Sequence, residues 1–104
     1  MCEELLREAE EMAKSHEVLA NPIRVLVLAA LIALGGEGAW SDIKRALERV
    51  YGSINPNTLA FHLRKLIENG LVDKVILEEP RYVVKRAPNN LQGLAERLKS
   101  VLRG

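Results

Sequence analysis

Residues 53–72 read SINPNTLAFHLRKLIENGLV, and they predict a short helix with a strand directly behind it. Asn55 is a favourable N-cap, because its side-chain oxygen can accept a hydrogen bond from a free amide of the first turn. Pro56 follows at the first helical position, where a missing N–H costs nothing. Gly70, which follows Asn69, suits the left-handed conformation that commonly ends a helix. The spacing therefore predicts a helix over residues 55–69.

This helix has one apolar stripe and an unusual outward face. The stripe, with helical spacing, is formed by Leu59, Leu63, Leu66 and Ile67. The residues left facing outward are Asn57, Thr58, Phe61, Arg64, Lys65 and Glu68. Two small polar residues and an aromatic at the N-terminal end are uncommon on a plain surface helix. They suit a helix that enters the DNA major groove by its N-terminal half.

The composition predicts one folded domain in a reducing compartment. The 104 residues are 48% hydrophobic and 28% charged, which favours a folded chain with a single modest core. Cys2 is the only cysteine, so an internal disulfide is excluded and a cytoplasmic setting is expected. The most apolar run, residues 25–34, is too short to span a bilayer, so no membrane contact is expected. One glutamine among many Glu, Lys and Arg residues indicates a thermophilic source.

The net charge of +1 hides an asymmetry along the chain. Residues 1–20 carry a charge of −4, and residues 21–104 carry +5. The N-terminal segment is acidic and the rest of the chain is mildly basic, which predicts that residues 21–104, rather than residues 1–20, approach phosphate. The excess is small, so charge by itself does not identify a nucleic-acid-binding protein.

Three helices are expected before residue 53. Residues 3–19 are amphipathic with heptad spacing, and residues 22–34 form a second helix that begins at a proline. This second helix is apolar nearly all round, which is typical of a central core helix. A very short strand at residues 39–40 precedes a third helix, which Ser41 caps and which runs to about Tyr51.

A β-hairpin and a final helix are expected after residue 70. Residues 71–77 and 82–85 are rich in Val, Ile and Leu, and Pro80 lies in the turn between them because it cannot donate to a ladder. Asn89 and Asn90 then cap a C-terminal helix over residues 89–103 with its own apolar stripe.

The two terminal helices predict a homodimer. Together they offer more apolar helix surface than so small a core needs, although the N-terminal stripe could also cover its own domain. The predicted interface consists of Leu5, Ala9, Met12, His16, Leu91, Leu94, Leu98 and Val101. His16 is expected to pack in this seam, with pH or metal sensing as the alternative.

A helix-turn-helix followed at once by a hairpin resembles the winged helix-turn-helix layout. Residues 19–24, 58–63 and 68–72 carry the resemblance, which covers residues 18–86 and is closest to the ArsR-like and MarR-like transcriptional regulators of bacteria and archaea. It implies a mainly α fold with a small β-hairpin wing and added terminal helices. The single domain, residues 1–104, would then have its winged-helix core at residues 21–87.

The resemblance also implies a DNA-binding surface. Base contacts are expected from Asn57, Thr58 and Phe61 on the recognition helix. Contacts to the DNA backbone are expected from Lys44, Arg45, Arg49, Asn55, His62, Arg64, Lys65 and Arg81. The chain departs from the family at Ala60, where serine is commoner, and at Glu78 and Glu79, where the wing tip usually carries a basic residue. It also lacks the cysteine clusters of the metal-sensing members, so no metal or cofactor is expected.

Alternatives remain open at several of these positions. Phe61 could pack against a dimer partner or under the wing, and His62 could be a partly buried, hydrogen-bonded histidine. The cations of the third helix could form a solvated face. No nucleophile motif, phosphate-binding glycine loop or paired ligand spacing indicates an enzyme. The expected function is sequence-specific binding of double-stranded DNA by a homodimeric regulator, and the alternative is a winged helix that contacts other proteins.

Overall fold

The computed structural model describes residues 2–15 and 19–103. Their elements in chain order are α1 (Cys2–Lys14), α2 (Pro22–Ala33), β1 (Glu37–Ala39), α3 (Trp40–Tyr51), α4 (Pro56–Glu68), β2 (Val72–Val75), β3 (Arg81–Val84) and α5 (Leu91–Arg103). Over these residues the chain is mainly helical with a small antiparallel sheet. The predicted fold class is confirmed at this level, and the elements follow in the predicted order.

The α2 helix forms the centre of the core. Every residue from Val25 to Leu31 is fully buried, because α2 is apolar nearly all round and is covered on several sides. Its start is fixed by Asn21, whose side-chain oxygen accepts from the amide of Ile23 at 2.8 Å, with Pro22 at the first position. The helices α1, α3, α4 and α5 all pack against it.

The apolar stripes of α1 and α5 belong to this core, which corrects the predicted dimer interface. Five of the eight residues of the predicted interface are at most 2% exposed within a single chain, and they are Leu5, Ala9, Leu91, Leu94 and Leu98. A side chain buried in its own chain has no surface left for a partner. Met12 and Val101 are only partly buried, and His16 lies outside the described residues.

The α1 helix is also shorter than the predicted range of residues 3–19. It ends at Lys14, and the amide and hydroxyl of Ser15 both donate to the carbonyl oxygen of Met12, at 3.2 and 3.1 Å. Such short-range bonds compete with the next helical hydrogen bond and close the helix. Leu19 is buried in the core at 1% exposure without being helical.

Both ends of α4 are as the sequence predicts. Asn55 caps the start, since its side-chain oxygen accepts from the amide of Asn57 at 2.8 Å. At the other end Leu71 N donates to Leu66 O and Gly70 N donates to Ile67 O, both at 3.0 Å, which is a Schellman motif. Gly70 has φ +76°, a conformation that glycine adopts without strain, and the chain passes directly into β2.

The second strand is shorter than the predicted range of residues 71–77, whereas the first and third begin two residues and one residue earlier than predicted. The sheet order is β1-β3-β2 with antiparallel pairing, and the hairpin strands end at Val75 and begin at Arg81. Ile76 and Leu77 therefore lie in the connecting loop instead of in a strand. The predicted Ser41 cap is wrong as well, because α3 begins at Trp40 and the carboxylate of Asp42 accepts from Ala39 N at 3.2 Å.

Within residues 2–15 and 19–103, no helix is both long enough and apolar enough to cross a bilayer.

Candidate nucleic-acid interface

The outward face of α4 is a continuous exposed surface. Asn57 and Thr58 are exposed in its first turn, and Phe61 follows one turn later with 41% of its surface exposed. The structure thus brings the three predicted base-contacting residues together. Asn55 lies just before them and is exposed, but its side-chain oxygen is occupied by the cap.

Phe61 is held in place by its own helix. Its ring meets the ring of His62 edge to face, with centroids 5.3 Å apart. The guanidinium carbon of Arg64 lies 5.7 Å from the Phe61 centroid and the Lys65 ammonium lies 5.5 Å away. Each such cation–π contact contributes about 0.5–1 kcal/mol at an exposed site. Phe61 is therefore an exposed ring with two cation–π partners, and it does not pack under the hairpin.

His62 is a buried link between α4 and α2, which corrects its assignment as a phosphate contact. It is 6% exposed, and its Nδ1 accepts a hydrogen bond from Arg24 Nε at 3.0 Å. Burial and, secondarily, the charge of Arg24 lower the pKa of His62 below its ordinary value. The neutral imidazole thus fits this site, with its proton on Nε2. The alternative of a hydrogen-bonded, buried histidine is the one the structure supports.

Four of the predicted phosphate-binding cations already face carboxylates. The pairs are Lys44–Glu48 and Arg45–Asp42 at 2.8 Å, Lys65–Glu68 at 3.5 Å and Arg81–Glu37 at 3.0 Å. Such partly or largely exposed pairs are worth about 0–1 kcal/mol, so a phosphate could replace the carboxylate as partner. The carboxylate would nevertheless stay nearby and oppose the approach of the phosphate.

Arg49 has a different task from the one predicted. Its guanidinium donates to the carbonyl oxygen of Val101 at 2.8 Å, near the C-terminal end of α5. With Arg45 it lines a groove that also includes Leu34 and Leu102. Cations stabilise the negative end of a helix dipole, so Arg49 fastens α3 to α5. This contact makes the Arg49 guanidinium part of the packing between α3 and α5.

Sequence reasoning missed Lys74, which lies across a cleft from Arg64. The cleft has a volume of about 290 Å³ and separates α4 from the hairpin. We call it the helix–hairpin cleft, and its lining consists of Ala60, Leu63, Arg64, Ile67, Lys74 and Tyr82. The available signal was strand alternation, since Lys74 shares a face of β2 with the buried Val72.

The loop of the hairpin is fastened to α3. Glu79 accepts from the amide of Ser41 at 2.8 Å, and Trp40 N donates to Pro80 O at 3.1 Å. One of the two acidic residues at the tip therefore serves the positive end of a helix dipole. The same loop leaves Ile76 and Leu77 exposed at 73% and 58%.

The chain matches no protein-family model, no curated protein and no solved structure. Any inference about its function therefore rests on its own residues. In the part of the chain that the structure describes, no three His, Cys, Asp or Glu side chains are grouped so that they could hold a metal ion.

Proposed function

We propose that this chain is a winged helix-turn-helix protein that binds double-stranded DNA sequence-specifically and acts as a homodimeric transcriptional regulator. The observation that carries the proposal is the outward face of α4. There Asn57, Thr58 and Phe61 form one exposed surface, and cations of the same helix lie beside it. In this proposal α4 is the recognition helix and the β2–β3 hairpin is the wing.

Each of the three residues has a defined chemical use in the major groove. An asparagine amide can pair in bidentate fashion with adenine, whereas threonine and phenylalanine offer apolar surface to a thymine methyl. The fixed position of α4 supports these base contacts, because they require a recognition helix with a fixed orientation. The Asn55 cap, the Schellman motif at Gly70 and the Arg24–His62 hydrogen bond fix α4 at its two ends and its middle.

The proposed dimer would form at a groove that borders the buried stripes, and of their buried residues only Leu5 lines it. This groove between α1 and α5, with a volume of about 530 Å³, is lined by Leu5, Gly93, Glu96, Arg97, Ser100 and Val101. Partly buried Met12 and Val101 lie on these helices as well. Two recognition helices related by a two-fold axis would enter successive major grooves about 34–36 Å apart, so the preferred site would be an inverted repeat.

The test is selection of binding sites from random duplex DNA, followed by affinity measurements with variants. Asn57→Ala should cost about 1–3 kcal/mol on the selected site and little on random DNA. Gln92→Ala, which removes an exposed amide side chain on α5, is the matched control and should leave both affinities unchanged. Equal losses on both DNAs would make Asn57 a positional contact.

A protein-binding role is the second candidate, and the exposed loop favours it. Val75, Ile76 and Leu77 form an apolar run at 42%, 73% and 58% exposure beside the carboxylate of Glu78. Exposed apolar patches commonly mark protein interfaces. If no selected DNA binds more tightly than bulk DNA, the regulator proposal fails and the loop together with Phe61 becomes the candidate interface.

A further inference from the structure

We propose that Arg64 and Lys74 clamp one DNA phosphate in the helix–hairpin cleft. The inference rests on the proposed DNA-binding function. Arg64 belongs to the recognition helix and Lys74 to the wing, so both elements would bind the same phosphate.

The geometry places the two cations on opposite walls of the cleft. Arg64 is exposed on α4, and Phe61 supports its guanidinium from the same helix. Lys74 stands on β2 directly opposite Tyr82 of β3, so both side chains lie on the sheet face that meets α4. Ala60 lies on the α4 wall of the cleft, where its small side chain leaves room between the cations.

The electrostatic setting of the cleft distinguishes this pair from the other cations of the surface. Among the described residues, neither Arg64 nor Lys74 forms an ion pair with a carboxylate, and no acidic residue lines the cleft. Burial raises the pKa of Tyr82, so its hydroxyl stays protonated at neutral pH and brings no negative charge. A phosphate that enters the cleft therefore meets two positive charges and no competing carboxylate in its lining.

The pair also differs in chemistry, which suits a shared phosphate. A guanidinium can donate two parallel N–H bonds to phosphate oxygens, while an ammonium acts as a compact point charge. In the proposed clamp the two side chains would contact one phosphate from opposite sides, through different oxygens. A clamp of this kind would fix the angle between the wing and the DNA backbone and leave Asn57 and Phe61 to the bases.

The experiment measures the salt dependence of binding to a random-sequence duplex of about 30 bp, roughly three helical turns. The variants are Arg64→Gln, Lys74→Gln and the double variant, with Lys74→Arg to retain the charge. Lys99→Gln is the matched control, because Lys99 lies on α5, which packs against α1 and α2 and contributes no residue to the cleft lining. Circular dichroism melting checks that each variant is folded.

Counterion release predicts the size of the effect. Loss of one neutralised phosphate should reduce the slope of log affinity against log salt by about 0.9. Because the homodimer carries one clamp per protomer, wild type should lose about 12-fold more affinity than the double variant between about 50 and about 200 mM salt. The proposed homodimer has two clefts, so the double variant should lose about 1.8 in slope if the cations of each cleft share one phosphate, whereas contacts to two separate phosphates per cleft would lose about 3.6. Lys74→Arg and Lys99→Gln should keep the wild-type slope.

Each other outcome overturns the clamp in a recognisable way. Wild-type affinity and slope in Lys74→Gln would show that Lys74 does not contact the backbone, and the DNA-binding proposal would stand. A loss of about 3.6 in the double variant would show two independent contacts in each protomer. If inorganic phosphate alone shifts the NMR signals of Lys74 and Tyr82 while duplex binding ignores Lys74→Gln, the cleft is a small-anion site. Absence of wild-type binding at low salt would remove both the clamp and the proposed function.

Discussion

Leu94→Ala should unfold the chain more readily at every protein concentration, because Leu94 belongs to the core of one chain. Its side chain is completely buried where α5 packs on α2. Truncation of such a leucine removes buried methyl groups and leaves a cavity, which costs about 2–5 kcal/mol. A domain of this size has a stability of about 5–15 kcal/mol in total. The melting temperature should therefore fall by about 10 °C or more.

Thermal melts followed by circular dichroism over a wide range of protein concentration measure this effect. A core residue lowers the melting temperature by the same amount throughout, whereas an interface residue acts through association and makes the shift depend on concentration. Val101→Ala is the control, since Val101 is partly buried beside the α1–α5 groove and should cost less. A Leu94→Ala protein that melts like wild type and only dissociates would refute the packing described above.

Two further predictions concern the support of α4. Folding lowers the pKa of His62, mainly through burial and then through Arg24, so the unfolded chain takes up a proton more readily than the folded one. His62 should therefore make its full contribution to the free energy of unfolding above the ordinary histidine pKa of about 6.5. This contribution should decrease as the pH falls below that value. Denaturant titrations at about pH 7.5 and about pH 5.5 should show a larger loss for wild type than for His62→Gln, which can still accept from Arg24 but has no site to protonate. An equal loss in both proteins would assign the acid sensitivity to other groups. Asn55→Ala removes the bond to Asn57 N and should cost about 0.5–2 kcal/mol in urea unfolding, whereas Asn55→Ser should retain most of the stability. If Asn55→Ala is as stable as wild type, the cap contributes nothing to the fold.

The accuracy of the sequence predictions follows the range of the interactions involved. The bounds of α4 were predictable because its cap, its proline and its closing glycine act within a few residues. The terminal stripes were assigned to a dimer because periodicity shows which face of a helix is buried and leaves its partner open. The partner is α2, whose apolar residues extend nearly all round and need cover on several sides.

The hairpin and the site residues depended on contacts that the sequence pattern does not contain. Ile76 and Leu77 have the β-propensity of a strand, but the bonds from Trp40 and Ser41 to Pro80 and Glu79 hold the loop against α3. The sequence pattern also does not show which groups pair with the cations. Arg49 was predicted from its place on α3, and only the packed structure shows its guanidinium at the carbonyl oxygen of Val101.

These charge partners explain how a chain of net charge +1 could bind DNA and why its binding would rest on few cations. A lysine or arginine paired with a carboxylate brings a phosphate close to a negative charge as well as a positive one, so the two contributions largely cancel. This arrangement is found at Lys44, Arg45, Lys65 and Arg81. Arg64 and Lys74 lack it, and in the proposed complex they would carry most of the salt dependence. A shallow overall salt slope, most of which is lost when these two residues are replaced, is the signature expected of such a surface.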